Sequence, residues 1–74
     1  MGLPLGTKWA GTPPTHCDVC QRPLMHTFVD GRMRNGTWAI MCPRCRTDYG
    51  PAELGTGRGQ KFERKGPDWV KTAG

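Results

Sequence analysis

The chain has 74 residues, 11 Lys+Arg, 6 Asp+Glu and a formal net charge of +5. Leu, Ile, Val and Phe together number ten, against 18 Gly and Pro, too few large apolar residues to close a core by burial alone at this length. These figures exclude a second domain and an enclosed small-molecule cleft, and no apolar run approaches the ~18 residues that span a membrane.

Such a chain is either disordered or stapled, and its four cysteines supply the staple. Residues 1–15 are rich in Gly and Pro, follow neither a helical nor a strand period, and read as a flexible arm. That start lacks the basic and apolar regions of a secretory signal, so the expected location is a reducing cytoplasm, where paired cysteines hold metal more often than disulfides. Trp9 is the one large side chain in the arm, suited either to the core or to a partner.

The next stretch opens on Cys17-Asp18-Val19-Cys20 and closes on Cys42-Pro43-Arg44-Cys45, with 21 residues between the pairs. Within it, 25–29 and 37–41 read as two strands. The turn dipeptides Asp30-Gly31 and Asn35-Gly36 bracket a hairpin tip at 30–36 that carries Arg32 and Arg34. Pro43 suits a first helical position and Gly50 a helix end, which predicts about two turns over 43–49. After the glycine-rich 55–59, alternation over 60–65 predicts a third strand. Residues 66–74 read as a flexible tail, leaving one domain over 16–65.

Two Cys-x-x-Cys pairs returned to each other by a hairpin make a tetrahedral four-thiolate site for Zn²⁺, formed by Cys17, Cys20, Cys42 and Cys45. Iron is an alternative at the same ligands. Four thiolates fill the tetrahedron, so the expected metal is single, structural and non-catalytic. His16 reads as solvated and His26 as a residue on a strand face. Four bound thiolates and one divalent ion lower the charge of the folded domain to about +3.

Knuckle, hairpin and second knuckle on a short helix are similar to the zinc-ribbon and treble-clef class. Gln21 and Arg46 stand where such knuckles often carry Gly. The string Phe28-Val29-Asp30-Gly31, Trp38 to Cys45, Tyr49-Gly50 and Leu54 to Phe62 resembles small bacteriophage and prophage zinc-ribbon proteins without an assigned activity. That resemblance implies a phage or bacterial cytoplasmic setting.

Arg32, Arg34, Arg44, Arg46, Arg58, Lys61 and Arg64 are the candidate residues for binding nucleic acid or a partner, with Arg22 and Lys65 nearby. Trp38 and Phe62 are expected in the core, and Trp69, like Trp9, fits core or partner equally. The 55–59 segment lacks the Lys-Ser/Thr of a phosphate loop and reads as a turn permitting close backbone approach. The expected function is a non-catalytic binding module acting on nucleic acid, DNA or RNA, or on its machinery. The alternative is an adaptor for a host or phage protein.

Overall fold

A computed structural model describes residues 3–74. Four strands and one helix follow in the order β1 (Thr27–Arg32), β2 (Trp38–Met41), α1 (Pro43–Tyr49), β3 (Gly59–Lys65) and β4 (Asp68–Ala73). The strands form one antiparallel sheet in the order β2-β1-β3-β4. The predicted helix and third strand are both present.

Register sorts the side chains onto two faces. Phe28 of β1 stands opposite Phe62 of β3, and their rings stack at 5.2 Å. Trp9 meets both rings edge-on, at 5.5 and 5.1 Å, and Trp69 meets Phe28 at 4.9 Å. Such edge-to-face and offset contacts contribute roughly 0.5–1.5 kcal/mol each beyond area burial. On the opposite face, Val29, Ala39 and Met41 are buried where α1 packs on β1 and β2. Cys17, Leu24 and Cys45 are buried in the same hydrophobic cluster.

Both ends expected to be flexible are paired. Residues 66–74 carry β4, whose Trp69 and Lys71 are buried. Gly6 N–H donates to Lys71 O, Lys71 N–H to Thr7 O, and Trp9 N–H to Trp69 O, each at 2.8 Å. The arm thereby closes the free edge of β4, which would otherwise expose unpaired backbone. The chain is short of aliphatic residues, so it spends its end aromatics on the core. Residues 1 and 2 of that arm lie outside the described residues.

The hairpin is longer and its tip narrower than expected. Asp30, Gly31 and Arg32 belong to β1, and the turn closes through Met33 N–H to Thr37 O at 2.8 Å. Gly31 serves a crossing rather than a turn: it stands opposite Gly59, and a Cβ on Gly59 would lie 2.8 Å from its Cα. Gly50 ends α1 in extended conformation, not the left-handed one. It is glycine because a Cβ there would come 2.8 Å from Arg46 O. Trp38 is not in the core but 51% exposed. It sits at the end of an edge strand, beyond the cover that Trp9 gives to Phe28 and Phe62.

Candidate metal centre

The first knuckle is built by its own backbone. Gln21 N–H donates to Cys17 O at 3.0 Å and Cys17 N–H to Arg22 O at 2.9 Å. Gln21 takes the left-handed conformation, φ 65°, that glycine fills without steric cost. Its side-chain amide donates to Asp18 O at 3.1 Å. Val19 N–H points at the Cys17 sulfur, 3.4 Å away.

The second knuckle is the strand-to-helix junction. Cys42 is the N-cap of α1, with Pro43 in the first turn. Cys45 lies one turn on and is buried, whereas Cys20 is exposed. All four sulfurs lie within 4.8 Å of one another, and those of Cys20 and Cys42 are 3.7 Å apart. A metal–sulfur bond of ~2.3 Å in a tetrahedron sets sulfur–sulfur edges of about 3.8 Å. The four cysteines are therefore arranged so that they could hold a metal ion, as the spacing predicted.

The electrostatics of the cluster agree. Burial works against a thiolate at Cys17, but backbone N–H groups of Cys20, Cys42 and Val19 outweigh it and hold the thiol down at about 6. Burial pushes the Cys45 thiol up, and hydrogen bonding with the neighbouring sulfurs adds to the rise. Without a cation the cluster cannot ionise fully, and a divalent ion removes that conflict. His16 and His26 are not in the cluster.

Asp18 was not anticipated as a site residue, since nothing in a Cys-x-x-Cys sequence marks the x positions. Its N–H donates to Ile40 O and its carboxylate accepts from Ile40 N–H, both at 2.8 Å. This strap fixes the first knuckle along the free edge of β2. Burial, and then the nearby Asp18 carboxylate, raise the Asp30 carboxyl above its ordinary range.

The seven candidate cationic residues differ in what holds their side chains. Arg34 at the tip donates to Asp48 O and Thr47 O, both at 3.3 Å, neutralising the carbonyl end of α1. Arg46 donates to Pro51 O and Ala52 O, both at 3.2 Å. Arg58 is ion-paired with Glu53. Arg64 lies over the Trp69 ring at 5.8 Å and donates to Gly66 O. The side chains of Arg32, Arg44 and Lys61 have no hydrogen-bond or ion-pair partner among the described residues. No helix among the described residues is long and apolar enough to cross a membrane.

No family model, curated protein or solved structure matches the chain.

Proposed function

We propose that the chain is a non-catalytic, zinc-stabilised binding module of zinc-ribbon or treble-clef type that acts on nucleic acid. Zinc is the ion proposed, and iron fits the same four-thiolate set. The observation that carries the reading is the uncovered corner of the sheet. Arg32, the cross-strand partner of Trp38, is exposed and holds no acid or carbonyl, unlike Arg34, Arg46 and Arg58. A free guanidinium on a rigid strand is a phosphate contact.

Binding of the metal-loaded chain to labelled DNA and RNA oligonucleotides, titrated across salt concentrations, tests this. Affinity is expected to fall linearly on a logarithmic salt plot. Arg32→Gln is expected to weaken binding and reduce the slope by about one phosphate contact. Undetectable binding at low salt overturns the reading.

A second reading, an adaptor for a host or phage protein, is favoured by a groove of about 440 Å³. Its apolar walls are Val19, Met33 and Tyr49, between the first knuckle, the hairpin tip and the end of α1. Partners retained from bacterial lysate after nuclease treatment support this second reading; loss of all of them counts against it.

A further inference from the structure

Three tryptophans serve this chain, and only two of them close its core. Trp9 and Trp69 pack on Phe28, whereas Trp38 is 51% exposed. A small protein with ten large aliphatic or Phe residues leaves half of its largest side chain in water at a stability cost. The position is rigid: β2 is held on one side by β1 and on the other by the Asp18 strap at Ile40.

The immediate neighbours of Trp38 have a definite chemistry. Directly across the ladder is Arg32, and two residues before it on the same face is Asp30. Asp30 and Arg32 form no ion pair with each other. The corner therefore offers an aromatic surface, a free cation and a carboxylate within one strand pairing. Phosphate is drawn to Arg32 and repelled by Asp30, while Asp30 can accept from the exocyclic amine of a base.

We propose that this corner binds single-stranded nucleic acid, with an unpaired base stacked on Trp38 and the adjoining phosphate on Arg32. The proposal rests on the nucleic-acid reading above and names the form of nucleic acid recognised. In a duplex each base is already stacked on its neighbours and turned inward, so an aromatic ring on a sheet face reaches it only by unstacking it. Unpaired bases offer their π-faces freely, and every base has one, so stacking of this kind tolerates sequence. Charge alone, by contrast, favours the duplex, whose phosphates are denser. The preference for one form over the other thus separates the tryptophan from the arginine.

Fluorescence anisotropy of the metal-loaded chain with a labelled 12-nucleotide mixed-sequence strand, free and annealed to its complement, decides the matter. The parent is expected to bind the single strand roughly tenfold more tightly than the duplex. Trp38→Ala is expected to lose about tenfold on the single strand and little on the duplex, and Trp38→Phe to recover much of the loss. Arg32→Gln is expected to weaken both forms. Melting curves and metal content of each variant confirm that an exposed side chain has been changed without unfolding. Equal affinity for strand and duplex, or a Trp38→Ala chain that binds the single strand like the parent, overturns this proposal and leaves the nucleic-acid reading standing. Binding to neither form overturns both.

Discussion

Asp18 and Ile40 are bound to each other twice, Asp18 N–H to Ile40 O and Ile40 N–H to the Asp18 carboxylate, each at 2.8 Å. The pair joins the first metal knuckle to the edge strand that leads into the second, so it sets the distance between Cys17 and Cys42. Asp18→Ala leaves the Ile40 N–H without its acceptor. A loss of about 1–2 kcal/mol is expected, together with faster metal release. Asp18→Asn keeps an oxygen in place and is expected to lose less. Thermal melting and metal transfer to a chromogenic chelator measure both effects; an alanine variant indistinguishable from the parent rejects the strap.

Removing the metal is expected to remove the fold. Cys17 and Cys45 are part of the buried core as well as of the four-sulfur cluster, and nine buried hydrophobic residues among those described are a small core for a chain of 74. Chelation at neutral pH should collapse amide dispersion in NMR spectra and abolish the melting transition, and zinc should restore both. Acid acts in the same direction. The Cys17 thiol is held below its ordinary value of 9.0, at about 6. Its thiolate therefore stabilises the fold fully above about 9, and that contribution is lost as pH falls through about 6. Protons also compete with the metal at all four sulfurs. The melting temperature should thus fall as pH is lowered from about 9 to about 6, with metal appearing in solution as protons displace it from the sulfurs. A flat profile there counts against thiolate ligation.

The metal centre was legible because its information is local. Cysteine spacing fixes which sulfurs can converge, and Pro43 and Gly50 bound a helix of the length observed. The faces of the sheet were not legible, because they depend on where the arm from residues 4 to 9 is laid down. Once Trp9 covers Phe28 and Phe62, the far corner is left open and Trp38 with it. The partners of the arginines were not legible for a related reason. Clustering in sequence does not show which guanidinium faces a helix end, as Arg34 does, or a following loop, as Arg46 does. Asp30-Gly31 has the composition of a turn, yet its glycine is required by the crossing strand.

That crossing yields a test of the sheet itself. Gly59 has φ 150°, and a Cβ there would lie 2.8 Å from Gly31 Cα and 2.9 Å from Asp30 O. Both contacts are backbone, so neither can swing away. Gly59→Ala is expected to destabilise the chain by more than about 2 kcal/mol, read by urea unfolding with metal in excess. A variant as stable as its parent means that β1 and β3 can part at this point without consequence.

Lys71 presents the opposite problem, a cation where the core has no acid. It is 2% exposed, and its Nζ donates to Leu3 O. No carboxylate pairs with it among the described residues. Burying an ammonium against a single carbonyl is costly, and an uncharged chain of similar length avoids that cost. Lys71→Met is therefore expected to match the parent or exceed it by about 1 kcal/mol, whereas Lys71→Ala, which leaves a cavity, should lose about 2 kcal/mol. The lysine also ties the arm to β4, so the two effects can be separated. Deleting residues 1–5 removes the acceptor and should destabilise the parent more than the Lys71→Met chain, a non-additive cycle. If the deletion costs both chains equally, the ammonium is not what secures the arm, and the backbone bonds of Gly6, Thr7 and Trp9 to β4, with the Lys8–Asp68 ion pair, carry that role.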